Sequence, residues 1–310
     1  MMKSQTGVQR KHRFRLTDDD LWGYAFILVS MIAFGVFTLY PVISAVETSF
    51  LKYKPFGSEF IGLKNYQDTF SSSLFYKTVL NTLEYTVVVV PLSLLMAFAI
   101  SIMILPFSKK TQSVFKSMYY LPGIASGVAL SVVWLWIYDS SPTGLMNQVF
   151  TFLRLPTQNW LSSSKTSMIS LMFMALMSGQ GSNIIIYIAA LLGIDNSYFE
   201  AAELDGAGRL TKLIKITIPM STPMIFYNLV TGIIGALQAN QTMILFGGNG
   251  AVGLGPDKSL YFVCVKIYNT AFRDFHQGYA SAYAWFLFMI IAVLTAVIFK
   301  TNKWVYYGDD

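Results

Sequence analysis

The chain has 310 residues, of which 54% are apolar or aromatic and only 12% charged, about half the charged fraction of a soluble globular domain. With a mean hydropathy of +0.52, this balance excludes a disordered, collagen-like or nucleic-acid-binding chain and fits helices that use lipid as solvent. The net charge of +6 is scattered over short stretches between apolar runs, and a single cysteine with two histidines leaves no internal disulfide and no His/Cys metal cluster to build.

The polar start, residues 1–20, carries Lys3, Arg10, Lys11, Arg13 and Arg15 ahead of Asp18, Asp19 and Asp20, and is expected to be a cytoplasmic tail. The apolar run after it is too long for the core of a signal peptide and lacks a small-residue cleavage site, so it is expected to be a retained span. A bilayer core needs roughly 20 apolar residues per helix. Six runs meet that length: Leu21–Val46, Thr78–Ile104, Met118–Tyr138, Ser167–Leu192, Met224–Phe246 and Tyr279–Phe299.

The expected fold is therefore an all-α integral membrane protein with six transmembrane helices in one domain, 21–304, closed by a short tail, 305–310. Lys and Arg are modestly enriched in the segments placed inside, largely through the N-terminal cluster, which puts both termini in the cytoplasm. Trp22, Tyr24, Tyr40, Tyr119, Tyr120 and Trp304 stand at span ends, where amphipathic rings meet headgroups. Pro41, Pro91 and Pro122 are read as kinks. Only Glu84 falls clearly inside a span, facing either solvent or an outer vestibule.

The stretch 193–220 breaks the apolar pattern. Ser197 followed by Glu200 predicts a capping box at a helix start; Gly206 and Gly208 predict its left-handed stop; Pro219 is expected to limit a second short helix. Tyr198, Ala201, Ala202 and Asp205 share one face, small enough for close approach by a partner.

Glu200-Ala201-Ala202, then Gly206, Ile216, Ile218 and Pro219, resembles the Glu-Ala-Ala signature of binding-protein-dependent ABC importer permeases, with Ile218 where that family usually has Leu. Phe60 to Tyr66, Asn81-Thr82, Gly255-Pro256, Ile267-Tyr268, Ala271-Phe272 and Gly278 to Ala282 are similar to the carbohydrate-importer branch. Gly247-Gly248-Asn249-Gly250 only blurs its Gly-Gly-Pro.

The resemblance implies a permease subunit of an ATP-driven sugar or oligosaccharide importer. Its partners would be a second homologous permease, two cytoplasmic ABC ATPases and an extracytoplasmic solute-binding protein. The loop would be an ATPase-coupling helix, with Tyr198, Glu200, Ala201, Ala202, Asp205, Gly206, Ile216 and Pro219 at the contact, Glu200 also capping its helix. No phosphate-binding loop is present in the sequence, so this subunit is expected to be no enzyme and to bind no cofactor, ATP and Mg belonging to the partner ATPase.

For the cargo path, polar and aromatic mid-span side chains are the candidates, because amides bond hydroxyls and rings stack on sugar faces. These are Trp134 and Trp136; Gln180, Asn183 and Tyr187; Asn228, Gln238, Asn240 and Gln241; and Tyr283 and Trp285. Bonding between helices is the bland explanation for any one of them. Alternative cargoes are glycerol phosphate diesters or uronate oligosaccharides. An ion-coupled secondary transporter is a further alternative, for which Glu84 alone offers an intramembrane carboxylate.

Overall fold

The computed structural model describes residues 18–54, 57–125, 127–240 and 253–306, with side chains from Trp22 onward. Most of the expected tails, and Gln241 with the end of the fifth expected span, lie outside these residues.

The chain divides into two compact units, 1–48 and 49–310. In the first, α1 (Asp18–Phe34), a π turn (Gly35–Leu39) and α2 (Tyr40–Ser49) run on as one apolar helix. Large apolar side chains stand exposed along it, among them Trp22 at 68%, Phe26 at 75% and Phe37 at 80%. Such a helix has no polar face to turn to water and is stable only in lipid or against another chain.

The second unit opens with a two-stranded antiparallel hairpin, β1 (Leu51–Lys52) and β2 (Glu59–Phe60), and a short helix, α3 (Lys64–Ser71). Asn65 Nδ2 ties the two together by donating to the Ser49 and Leu51 carbonyls at 2.8 and 3.0 Å.

The long α4 (Ser73–Ile104) is the axis of this unit, packing against α8 (Ser164–Ser178), α9 (Gly181–Leu192) and α12 (Ile218–Leu237). Its buried positions, among them Phe75, Thr78, Thr82, Tyr85, Val89, Ala97, Ser101 and Ile104, recur at helical spacing and form one stripe. The hydroxyls in that stripe cause no desolvation problem. Thr82, Thr86 and Ser101 each donate at 2.7 Å to the carbonyl four residues earlier, the bond that makes such side chains tolerable in a span. Glu84 lies on the exposed side of α4.

Several boundaries differ from the sequence expectation. α5 (Lys109–Ile124) begins nine residues before Met118 because Ser108 caps it, its Oγ accepting from the Thr111 N–H at 3.4 Å; α6 (Gly127–Ile137) is a separate helix. After α7 (Leu145–Phe152), the run expected to be the fourth span is bent by 46° between α8 and α9, at Gly179–Gln180. Among the described residues, four helices are long and apolar enough to cross a membrane, or up to six if each bent pair is one span. The second unit ends with α13 (Val263–Tyr268) and α14 (Gln277–Lys300).

Candidate functional site

The loop after α9 is held by local bonds. Ile194 is buried as an anchor, and α10 (Asn196–Leu204) follows directly. The expected capping box is not what starts it. Asp195 is the N-cap, its Oδ1 accepting from the Ser197 N–H at 2.9 Å, and that bond holds the Asp195 carboxyl below the usual carboxylate range. Glu200 lies in the body of the helix, exposed and making no cap bond.

The C-terminus is a Schellman turn. The Gly206 N–H donates to the Glu203 carbonyl at 3.0 Å and the Ala207 N–H to the Ala202 carbonyl at 2.8 Å, the two bonds that define the motif. Gly206 supplies the required φ of +75°. A Cβ added there would meet nothing within 4 Å, so glycine is needed for backbone angle and not for space. Gly208 is extended and caps α11 (Arg209–Lys212).

Across the turn, Lys212 Nζ donates to Glu203 Oε1 at 2.6 Å. This hydrogen bond, and then the lysine charge, keep the Glu203 carboxyl below its ordinary range.

Pro219 does not end the second helix. α11, a π turn (Leu213–Thr217) and α12 form one continuous run from Arg209 to Leu237. Proline removes one N–H, and a π turn just ahead of it is the local widening that absorbs the mismatch. On α10, Tyr198, Glu200, Ala201 and Asp205 are exposed and Ala202 is half-buried; Ile216 and Pro219 are half-buried at the start of the long helix.

Between α4, α5, α6, α8, α9 and α12 lies a cavity of about 470 Å³. Its polar lining is Ser93, Ser178, Asn183 and Asn228, and no Asp, Glu, Lys or Arg lines it among the described residues. Asn183 Nδ2 donates to Ser93 Oγ at 3.4 Å, and Ser93 Oγ to Gln180 Oε1 at 3.1 Å. Trp134 Nε1 donates to Ser178 Oγ at 2.9 Å, which places the indole behind the wall. Asn228 is buried beside the Tyr187 hydroxyl, and beyond that one contact both side chains are left without a hydrogen-bond partner. Leaving such groups unpaired costs about 1–3 kcal/mol each.

Gly181 lets α9 press against α5 here, since a Cβ would stand 2.6 Å from the Tyr119 carbonyl oxygen. The remaining candidates are elsewhere. Trp136 is 60% exposed on α6. Gln238 and Asn240 are exposed past the end of α12. Tyr283 is buried against Phe75, its hydroxyl 2.6 Å from Thr78 Oγ1, and Trp285 packs on Phe288. Ser93 and Ser178, which sequence reasoning missed, carry no signal there beyond standing in apolar runs next to Pro91 and Gly179.

Apolar helices around a neutral cavity, with a rigid exposed helix between two of the cavity's own walls, make a membrane transport subunit. The chain belongs to the family of binding-protein-dependent transport system inner membrane components, whose model matches residues 70–305. It is similar to the probable ABC transporter permease protein YesP of Bacillus subtilis (strain 168), 33% identical over 93% of both chains. It is also similar to the arabinooligosaccharides transport system permease protein AraP of the same strain, 29% identical over 90% of this chain and 88% of that protein. Among solved structures, it shares the fold of a chain in a bacterial alginate ABC transporter in complex with alginate pentasaccharide-bound periplasmic protein. That match has a TM-score of 0.78 and 21% identity over 92% of this chain and 95% of the other.

Proposed function

We propose that this chain is one permease half of an ATP-driven importer for a neutral sugar or oligosaccharide delivered by an extracytoplasmic binding protein. The reading counts each bent helix pair as one span, giving six, with domain 21–304 in the membrane. It places both termini and the 193–220 loop in the cytosol. A second homologous permease and two ATPase subunits complete the complex, and hydrolysis of ATP with its Mg takes place on the ATPases, this chain holding no cofactor.

The observation that carries the cargo assignment is the cavity lining: neutral amides and hydroxyls and, among the described residues, no Asp, Glu, Lys or Arg. Hydroxyl-rich neutral solutes satisfy such groups, whereas a phosphate diester or a uronate would bring a charge with no counter-charge to meet it. An ion-coupled mechanism also lacks its carboxylate in this cavity, Glu84 being on the exposed side of α4. The relative named for arabinooligosaccharides supports a saccharide cargo.

Coupling follows from connectivity. α10 sits between α9, which carries Asn183, and the Arg209–Leu237 helix, which carries Asn228. ATPase closure on the exposed face formed by Tyr198, Glu200, Ala201 and Asp205, with Ala202 at its edge, moves a preformed rigid piece. The motion reaches both cavity amides through helices that begin or end at the loop, biasing an inward/outward equilibrium.

The test of sidedness replaces Cys264 and places single cysteines at Ser71, Ser162 and Thr211. A membrane-impermeant maleimide added to sealed cells is expected to modify the first two alone. Labelling at Thr211 overturns the orientation.

A further inference from the structure

A second cavity, of about 710 Å³, lies beneath the loop where α4 and α9 end. Its wall is apolar, built by Leu105, Leu191, Leu192, Phe199, Leu210 and Leu213, with Arg209 and Lys212 at its edge. Leu192 also lines an adjoining pocket of about 330 Å³ formed by Lys109, Gln112, Ser113 and Lys116 at the start of α5. Among the described residues, no Asp or Glu lines either space. Lys212 is committed to Glu203, whereas Lys109, Lys116 and Arg209 have no acidic partner among the described residues. Apolar side chains continue outward from the rim, with Leu192 60%, Leu210 68% and Ile214 55% exposed.

We propose that these two neighbouring spaces, which share Leu192, together bind one anionic phospholipid, with an acyl chain in the apolar cavity and the headgroup phosphate among Lys109, Lys116 and Arg209. Two features select a lipid over a free anion. The larger part of the site is apolar and offers a soluble phosphate nothing, and the cations stand at its edge where a headgroup emerges. Basic pockets between helix ends are general recognition sites for anionic headgroups. Because Phe199 of α10 and Leu210 and Leu213 of the following helix are part of the wall, the bound chain braces the loop against α4 and α9. The proposal rests on the loop's cytosolic placement only for which leaflet supplies the lipid, and the maleimide assay above settles that separately.

The experiment uses the assembled transporter, ATPase subunits bound, in phosphatidylcholine vesicles carrying a trace of photoactivatable phosphatidylglycerol or photoactivatable phosphatidylcholine. Cross-linked peptides are then mapped. The phosphatidylglycerol probe is expected to label residues 105–116 and 191–217, with the phosphatidylcholine probe at one-fifth of that yield or less. The triple variant Lys109→Gln, Lys116→Gln, Arg209→Gln is expected to lose at least roughly fivefold in labelling. Lys109→Arg with Lys116→Arg keeps the label and shows that charge, not folding, is read; Lys110→Gln, outside the pocket, also keeps it. Equal labelling by both probes, or an unchanged yield in the triple variant, overturns the proposal. So does absence of label in the assembled complex, which gives the pocket to the ATPase, and so does displacement by millimolar inorganic phosphate, which makes the ligand a free anion.

Discussion

The loop around α10 and the cavity between α4, α9 and α12 handle polar groups in opposite ways. In the loop they are spent: Asp195 on the Ser197 amide, the Gly206 and Ala207 amides on the last turn of the helix, Lys212 on Glu203. In the cavity part is left in reserve: Asn228 in its wall has the Tyr187 hydroxyl beside it and no other hydrogen-bond partner. A segment that must transmit force gains from being finished before its partner arrives. A segment that must receive and release a solute gains from bonds completed only by that solute.

The strongest way to break this contrast is to unfinish the loop. At φ +75° a β-branched residue is strained by roughly 1–2 kcal/mol, so Gly206→Val is expected to abolish ATPase co-purification or reduce binding-protein-stimulated hydrolysis more than tenfold. The chain should still insert and keep its permease partner, because open space surrounds the position. Gly206→Asn, a residue that tolerates the left-handed region, should recover most of the activity. Equal damage from Val and Asn would show that the backbone angle is not what matters.

The reserve in the cavity invites a second substitution with a split outcome. Asn228→Leu removes two buried polar atoms whose one polar neighbour is the Tyr187 hydroxyl and puts apolar atoms of similar shape in their place. The complex in detergent is therefore expected to resist thermal inactivation as well as or better than the parent, in line with the roughly 1–3 kcal/mol released. Import in reconstituted vesicles should fall by about tenfold, with ATPase association unchanged. A variant that is less stable and transports normally would reverse the meaning given to the unpaired amide. Asn183→Ala is expected to act more weakly, since its amide already has Ser93 as partner.

How much of this was legible beforehand differs between the two regions for the same reason. The loop is made by short-range rules, and its glycine, its exposed small face and its position between spans could be read from Asp195 to Pro219. The misreadings there were also local. Asp195 and Ser197 are both good caps, and the choice depends on which amide each can reach; Pro219 marks a helix end only where no π turn precedes it. The cavity is made by which face each helix turns inward, and uniformly apolar helices carry almost no periodic signal for that. Trp134 and Trp136 differ by two positions on one helix, so one is buried on Ser178 and the other exposed. Gln238 and Asn240 looked mid-span because the apolar run continues past them, yet the helix stops at Leu237. The break at Gly179–Gln180 is hidden in the same way.

The smallest effect expected belongs to the Glu203–Lys212 pair, which closes the loop on its solvent side. Glu203 is exposed, so the pair is screened and contributes little alone; Glu203→Gln is expected to lower coupled hydrolysis by at most about twofold at neutral pH. Its pH dependence is the sharper readout. The carboxyl is held below its ordinary range in the folded loop, so the folded state binds its proton less readily than the unfolded one. The pair's contribution is then complete above the ordinary glutamate range and is lost as pH falls through the depressed value. A nitroxide at Ala207 should report constant mobility from neutral pH down through the ordinary range of a free glutamate, then loosen only below it. In Glu203→Gln that acid step should vanish while Asp195, whose carboxyl is also held low by its cap bond, still contributes its own loosening at the start of the helix. If the parent loosens within the ordinary glutamate range, or if Glu203→Gln keeps the step at Ala207, the ion pair is not what fastens this end of the loop.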